Sequence, residues 1–434
     1  MSILNKPLYF YLLLFITTTL IGSILLYLPV TGNRHLDFID AFFTAASAFT
    51  VTGLVTVDVS SQFNWLGDLI IMLLIQIGGL GIVTVTLLTF ILINKHISLK
   101  SRYLVMTMWN IDTPGGIIRL MLQFVLYSLV TEAIGTLCIA LSFVPKYGLG
   151  KGLFLSIFTS ISAFNNAGFA LFKDNLMSTV SDPIITITVP LLIIMGGLGP
   201  LVFLDLAVSH KLAKLKLHSK IVLSTSLILI VVGTVIFFIL ENHNTLNHFS
   251  LLEKIGTSFF QSVTTRTAGF NSVDMGQITA PTSMIMMLLM FIGGAPVSSA
   301  GGIKVTSLVL TLLFIKSTLR NETHASIFKK SIPDRTLRIA VTISLSATIY
   351  VLSVSFILSM LNPHTPYTTV LFEVISAFGT VGLSMNFTTE YDTMTKIIII
   401  VTMLIGKIGI LTFIQLFITE KKELFYYAKD NVHL

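Results

Sequence analysis

The chain has 434 residues, of which 54% are hydrophobic and only 11% are charged. An average soluble domain carries about 25% charged residues, so this chain has too little charge to cover a water-soluble fold of its size. The apolar excess also excludes a disordered or collagen-like chain. The composition therefore predicts an integral membrane protein with most of its residues in lipid.

Eight apolar stretches follow one another along the chain, each near the roughly 20 residues that a helix needs to cross the hydrocarbon core. They are residues 8–30, 65–93, 120–144, 183–208, 221–240, 282–318, 337–361 and 394–418. We expect the first stretch to be a retained span, because no small-residue cleavage site follows it. Eight crossings place both termini on the same side of the membrane.

A shorter segment separates the two stretches of each successive pair: residues 38–50, 153–165, 251–264 and 367–379. Segments of this length do not span a bilayer and are typical of re-entrant helices. The pattern predicts an all-α membrane protein of four fused span–pore-helix–span repeats around one central pore. The expected repeats are residues 1–93, 120–208, 221–318 and 337–418, with links 94–119, 209–220 and 319–336 and a tail 419–434.

The formal net charge of +7 is concentrated in the links and the tail. Their basic residues are Lys95, Lys100, Arg102, Arg119, Lys211, Lys214, Lys216, Lys220, Lys316, Arg320, Lys329, Lys330, Arg335, Arg338, Lys421, Lys422 and Lys429. The positive-inside rule therefore predicts that the links and both termini are cytoplasmic. The opposite face is net negative and would concentrate cations. The basic balance is thus a topology signal, and we expect no binding to nucleic acid.

The ends of the four short helices align in sequence. They read Ser47-Ala-Phe-Thr-Val-Thr-Gly53-Leu54, Ser162-Ala-Phe-Asn-Asn-Ala-Gly168-Phe169, Val263-Thr-Thr-Arg-Thr-Ala-Gly269-Phe270 and Ser376-Ala-Phe-Gly-Thr-Val-Gly382-Leu383. Close helix packing alone would explain scattered glycines. It does not explain why each glycine follows a half-length helix in the same register.

We interpret these segments as four strands of an ion filter. Glycine permits a positive φ, and four such strands around an axis form a ring of carbonyl oxygens that replaces a cation's hydration shell. The C-terminal ends of the short helices add partial negative charge there. The candidate filter residues are Thr50, Val51, Thr52, Gly53, Asn165, Asn166, Ala167, Gly168, Arg266, Thr267, Ala268, Gly269, Gly379, Thr380, Val381 and Gly382.

Each repeat's second span also carries a glycine-rich step. The steps begin at Gly78, Gly196, Gly293 and Gly406, and for the first two we expect close helix packing. The third predicts a break within the membrane, which is tolerated only beside water or protein. We interpret it as a flexible gate below the filter, with a rigid kink as the alternative. The candidate gate residues are Gly293, Gly294, Ala295, Pro296, Val297, Ser298, Ser299, Ala300, Gly301, Gly302, Lys304 and Lys407.

Three cationic residues lie near the expected pore, where charge is costly and usually functional. Arg266 is expected either to orient the filter backbone from behind or to pair with an acid on a neighbouring helix. Lys304 has Lys407 as its candidate partner across the pore, and snorkelling to the cytoplasmic interface is the alternative. Glu132 is expected to bond within the helix bundle.

These features resemble the Trk/Ktr/HKT potassium transporter superfamily over nearly the whole chain, in particular its Ktr-type membrane subunits. The resemblance rests on the strands ending at Gly53 and Gly269, the interrupted third repeat, and Ile408-Gly409. It implies K⁺ uptake, a homodimer with one pore per protomer, a bacterial plasma membrane and a regulatory cytoplasmic ring that binds nucleotide. It also implies Na⁺ as a candidate activator and no cofactor on the chain itself.

Within that family, glycine at all four strand positions is the potassium-selective pattern, whereas serine at the first accompanies sodium selectivity. Lys407 stands where the family usually has an arginine that holds the intramembrane loop shut. Lysine lacks the planar fork of donors, which predicts looser closure.

Two other functions fit the sequence less well. A Na⁺- or H⁺-coupled secondary transporter usually has two inverted repeats and midplane carboxylates. The sequence instead indicates four repeats in parallel and no such carboxylates. A membrane enzyme would need convergent His, Asp or Ser groups within spans, and an ATP-driven pump would need a nucleotide domain; the sequence indicates neither, so we expect no enzymatic activity.

Overall fold

The computed structural model describes residues 7–81, 117–209 and 211–414, and the structure is mainly helical. The predicted segments 82–93 and 415–434 and most of the first link lie outside the described residues. The first repeat contains a span Pro7–Tyr27, a pore helix Phe38–Thr50, a short turn of helix Val59–Gln62 and an outgoing helix Trp65–Leu80.

The later repeats have the same order of elements. The second has the span Ile117–Tyr147, the pore helix Leu149–Phe164 and the outgoing helix Pro183–Ser209. The third has Leu217–Glu241, the pore helix Leu251–Thr264, and outgoing halves Ala280–Phe291 and Val305–Leu319. The fourth has Asp334–Leu361, the pore helix Tyr367–Gly379, and outgoing pieces Thr393–Ile408 and Ile410–Ile414. Between the third and fourth repeats, strands Ser326–Ile327 and Lys330–Ser331 pair antiparallel.

Polar side chains begin several of these helices where the sequence offers them. The Asn64 side chain accepts hydrogen bonds from the backbone N–H groups of Leu66 and Gly67, and Ser250 forms a capping box with Glu253. Such caps satisfy the unpaired N–H groups of a first turn. They fix the entry of the first outgoing helix and of the third pore helix.

The spans and the pore helices differ in burial. Within the described part of the chain, the first helices of repeats two, three and four, together with Pro183–Ser209, are long and apolar enough to cross a membrane. These helices expose large apolar side chains such as Leu141, Ile239 and Phe356, which suits contact with lipid. The pore helices are more buried, above all in their C-terminal halves. The spans therefore surround a core made of the four pore helices.

The regular outgoing helix ends or breaks at its glycine-rich step in every repeat, whereas the sequence predicted a break only in the third. Gly81, Gly199 and Gly409 have φ values of +82°, +73° and +93°, which a right-handed helix does not accommodate. Each is the fourth residue of its glycine-rich step. In the third repeat that place is taken by Pro296, and the next residue, Val297, has φ +64°. Close packing was thus an incomplete prediction for the first two steps, because the same steps also end the helix.

The first glycine of the first, second and fourth steps packs closely against a pore helix, as expected for the first two. A Cβ atom on Gly78 would overlap the carbonyl oxygen of Phe49 at the end of the first pore helix. Gly196 and Gly406 meet the carbonyl oxygens of Phe164 and Phe378 in the same way. The outgoing helices therefore touch the pore-helix ends through their backbones. This contact places each helix break near the filter strand of the same repeat.

Candidate ion filter and intramembrane gate

The four strand glycines lie next to one another in a closed ring. A Cβ atom on Gly168 would stand 2.7 Å from the carbonyl oxygen of Ala268 in the next repeat. Gly53, Gly269 and Gly382 approach the neighbouring strands still more closely; their contacts are the carbonyl oxygens of Ala167, Val381 and Thr52, respectively. Each strand therefore meets the strand of the following repeat, and the fourth closes on the first. No side chain fits at these places without a shift of backbone.

The strands share an unusual backbone conformation. The four glycines have φ values between +70° and +93°. Two residues before each glycine, φ is also positive, at Val51, Asn166, Thr267 and Thr380. A β-branched residue in this region is a true outlier, and such strain of roughly 1–3 kcal/mol persists only where the surroundings enforce it. An alternation of left-handed and ordinary residues is suited to presenting successive carbonyl groups to one side.

The pore helices hold the strands through their last turns. The backbone N–H groups of Thr52, Ala167, Ala268 and Val381 donate to carbonyl oxygens of the preceding pore helix at 2.7–3.0 Å. These bonds resemble the caps that follow a helix end in the left-handed conformation. The start of each strand is thereby fixed relative to its own pore helix.

A buried hydroxyl, for which no role was predicted, supports each strand at the glycine or at the residue after it. The Oγ atoms of Ser47 and Ser376 each accept a hydrogen bond of 3.1 Å from the N–H of Gly53 and Gly382. In the other two repeats, the hydroxyls of Ser162 and Thr264 donate to the carbonyl oxygens of Phe169 and Phe270 at 2.8 and 2.9 Å. The sequence does contain a signal for these hydroxyls, because three of the four aligned segments begin with serine.

A cavity of about 290 Å³ opens beside the ring. Gly53, Gly168 and Gly382 line its floor, and Asp58 and Asp174 are the carboxylates on its wall. Lys173, several amide side chains and apolar residues such as Val57 and Phe169 also line it. Two carboxylates against one ammonium give this vestibule a net negative charge, which raises the local concentration of cations.

The predicted gate residues other than Lys407 form a loop between Phe291 and Val305. The neck of this loop is held by backbone hydrogen bonds from Gly293 N to Ile303 O, at 2.8 Å, and from Ile303 N to Phe291 O, at 3.3 Å. Ala295 N donates to Gly197 O of the second repeat at 3.0 Å. The loop is therefore an ordered segment bonded to its neighbours.

The far side of the loop contacts the fourth repeat. A Cβ atom on Gly301 would overlap the Thr380 side chain and lie 3.1 Å from Gly379 O. One on Gly302 would lie 3.2 Å from the Cα atom of Gly379. The loop thus reaches from the broken helix of repeat two to the first residues of the fourth filter strand.

Both predicted gate lysines bond to this loop and not to each other. Lys407 Nζ donates to the carbonyl oxygen of Ser299 at 2.6 Å, and Lys304 Nζ donates to that of Ala300. The two lysines thus bind the carbonyl groups of neighbouring residues in one loop, and their partnership as a gate stays a prediction. Lys304 turns back onto its own loop. Among the described residues of the fourth repeat, the Lys407 ammonium is the group that hydrogen-bonds to the loop.

Arg266 lies behind the third strand. Its side chain is 9% exposed and borders a small cavity with Ile193, Gly197 and Val263. Among the described residues it pairs with no carboxylate, so the salt-bridge alternative is not observed there. Its Nε atom is buried without a hydrogen-bond partner in the same part of the chain. The structure therefore places Arg266 beside the filter, as expected for a residue that orients the strand backbone, and leaves that role a prediction.

Buried pore helices, spans with apolar outer faces and a loop held inside the bundle define a multi-pass membrane transport protein. The chain belongs to the TrkH family, described as cation transport proteins, whose profile matches residues 13–427. It is 43% identical to the Ktr system potassium uptake protein B of Bacillus subtilis (strain 168), over 95% of this chain and 93% of that protein.

Two further comparisons agree. The chain is 39% identical to the Ktr system potassium uptake protein B of Vibrio alginolyticus, over 97% of this chain and 93% of that protein. The crystal structure of the potassium transporter TrkH from Vibrio parahaemolyticus superposes with a TM-score of 0.74 at 17% identity, covering 96% of this chain and 85% of that one. The predicted Trk/Ktr membership and helical membrane fold are confirmed.

Proposed function

We propose that this chain is the potassium-translocating membrane subunit of a K⁺ uptake system. The observation that carries the proposal is the closed ring of Gly53, Gly168, Gly269 and Gly382, in which backbone of each strand contacts backbone of the next. The relatives named as potassium uptake proteins support the choice of ion.

In this proposal, K⁺ collects in the negative vestibule and exchanges its water for strand carbonyl oxygens. The C-terminal ends of the four pore helices add partial negative charge at the ring. The membrane potential drives entry with about 2.3 kcal/mol per charge per 100 mV. Hydroxyls such as Ser47 keep the strands at the spacing that suits K⁺.

The loop of residues 293–304 is the proposed gate. It contacts the fourth filter strand at Gly379 and Thr380, so its displacement would change the space directly below the ring. The hydrogen bond from Lys407 to Ser299 favours the held position. One ammonium donor is a weaker clamp than a guanidinium fork, which suits a gate that opens readily.

The arrangement in the cell belongs to the same proposal. We place the protein in a bacterial plasma membrane with both termini and the basic links in the cytoplasm. We also propose a homodimer with one pore per protomer and a cytoplasmic nucleotide-binding ring as regulator. The Ktr system names of the relatives support a multi-component system. K⁺ is the transported ion, Na⁺ is a candidate activator, and no cofactor is assigned to this chain.

Ion flux into liposomes containing the purified chain alone tests the function. K⁺, Rb⁺ and Na⁺ are compared at equal driving force, with and without the co-purified cytoplasmic protein. We expect K⁺ and Rb⁺ to enter faster than Na⁺. Equal rates for K⁺ and Na⁺ would contradict a potassium filter, and flux that requires a proton gradient would favour the coupled transporter.

A further inference from the structure

Glu132 is a buried carboxylate in the first span of the second repeat. Its side chain is 5% exposed and accepts hydrogen bonds from three neutral side chains. The donors are Ser128 Oγ at 2.9 Å, Asn165 Nδ2 at 3.1 Å and Gln76 Nε2 at 3.1 Å from both carboxylate oxygens. No ion pair within the described residues involves it. An acid at this depth is costly, and a satisfied polar network rigidifies what it joins.

The network joins three elements at the seam between repeats one and two. Gln76 belongs to the first outgoing helix, and Asn165 is the first residue after the second pore helix. Gln76 Oε1 also accepts a hydrogen bond of 2.9 Å from Asn165 Nδ2. The carbonyl oxygen of Glu132 accepts a further one of 2.7 Å from Ser160 Oγ on that pore helix. The carboxylate therefore fixes the end of the second pore helix against two neighbouring spans.

The packing provides a place for the Asn165 amide. A Cβ atom on Gly79 would overlap the Asn165 side chain, so glycine at this position leaves the room that the amide occupies. The aligned residues in the other repeats are Thr50, Arg266 and Gly379, none of which has an amide side chain. The network is thus a feature of the second strand.

We propose that Glu132 is a positioning residue for ion selectivity. Through Asn165 it sets where the second strand leaves its pore helix, three residues before Gly168. Discrimination between K⁺ and Na⁺ depends on the number and placement of the coordinating carbonyls, so a displaced strand start changes it. This inference rests on the proposed function of the strands as a potassium filter.

The test is the ratio of K⁺ to Na⁺ flux for the full chain in liposomes. We expect Glu132→Ala to lower this ratio by about fivefold or more, because a charged acceptor of several hydrogen bonds is lost. Glu132→Gln, which keeps the volume and one acceptor oxygen, is expected to retain part of the ratio. Glu132→Ala combined with Asn165→Ala is expected to lower it no further than the stronger single change, since both act through one contact.

Glu241 provides a matched control. It is 0% exposed and its carboxylate accepts hydrogen bonds from Thr279, Thr282 and Asn244, none of which belongs to the filter. Glu241→Ala is expected to reduce the amount of folded protein and to leave the ion ratio unchanged. A ratio lowered equally by Glu241→Ala would overturn the proposal, because any buried carboxylate would then suffice.

Gln76→Leu removes the Gln76 hydrogen bonds to Glu132 and Asn165 and keeps the acid. It replaces Glu132→Ala in the test if that variant does not reach the membrane. It is expected to lower the ratio as well. Wild-type ratios for both Gln76→Leu and the Glu132 variants, with a selective parent protein, would overturn this inference alone. A parent protein without preference for K⁺ would instead remove the proposed function on which it rests.

Discussion

Gly53→Ser is the sharpest perturbation of the proposed filter. Gly53 has φ +93°, and a Cβ atom there would collide with the carbonyl oxygen of Ala167 in the next strand. A left-handed conformation costs an L-residue roughly 1–2 kcal/mol, before the collision is relieved. The collision in the serine variant is relieved when the two strands move apart or when a carbonyl group turns away. Either movement alters the proposed site at which K⁺ is held.

The expected size of the effect follows from that energy. Each 1.4 kcal/mol corresponds to about tenfold in an equilibrium constant. If the strain is released when K⁺ leaves the ring, the preference for K⁺ over Na⁺ falls by roughly 5- to 30-fold. The assay is the flux of each ion into liposomes at equal protein content, supported by growth of a K⁺-uptake-deficient host on limiting K⁺.

Gly148→Ser is the matched control. Gly148 precedes the second pore helix with φ +81°, and no atom lies within 4 Å of a Cβ atom built there. It carries a similar backbone penalty without the collision and outside the ring. We expect it to lower stability and leave the ion ratio unchanged. An unchanged ratio in Gly53→Ser, or an equal loss in Gly148→Ser, would refute the reasoning.

The gate and the strand supports give three further predictions. Deleting residues 295–302 should raise K⁺ flux at equal membrane expression, because the proposed obstruction is removed; unchanged or lower flux would count against a gate. Lys407→Arg should lower basal K⁺ flux, since a guanidinium fork holds carbonyl groups more firmly, and equal flux would remove Lys407 from the mechanism. Ser47→Ala should reduce the K⁺ to Na⁺ flux ratio several-fold, because leaving the buried N–H of Gly53 unpaired costs about 1–3 kcal/mol. Thr44→Ala on the same pore helix is its control, since the buried Thr44 hydroxyl has no hydrogen-bond partner in the described ranges; a similar drop in both variants would argue against a specific support.

The sequence predicted the short helices well because their signals are local. The segments 38–50, 251–264 and 367–379 coincide with the observed Phe38–Thr50, Leu251–Thr264 and Tyr367–Gly379. Length, apolar content and a glycine soon after the last turn suffice for that assignment. The second pore helix begins four residues before the predicted 153, because Gly148 ends the preceding span.

The breaks and the bonds to the loop were harder to predict because they depend on contacts between repeats. A glycine permits a positive φ but does not require one, so Gly81 and Gly409 read equally well as packing residues. Lys407 is separated by more than 100 residues from the Ser299 carbonyl that it contacts. A contact of that kind leaves no periodicity in the sequence.

The ring is also less symmetric than its four glycines indicate, and the residues beside them show why. The filter strands of repeats one and four end in Gly-Leu, with glycine φ values of +93° and +92°. There the pore-helix serine accepts a hydrogen bond from the glycine N–H. The filter strands of repeats two and three end in Gly-Phe, with glycine φ values of +70° and +73°. There the pore-helix hydroxyl donates a hydrogen bond to the carbonyl oxygen of that phenylalanine. The two pairs thus differ both in the glycine φ and in the backbone group that the hydroxyl bonds. The first glycine is therefore not equivalent to the second or third, so substitutions around the ring should be compared within these adjacent pairs and not across all four positions.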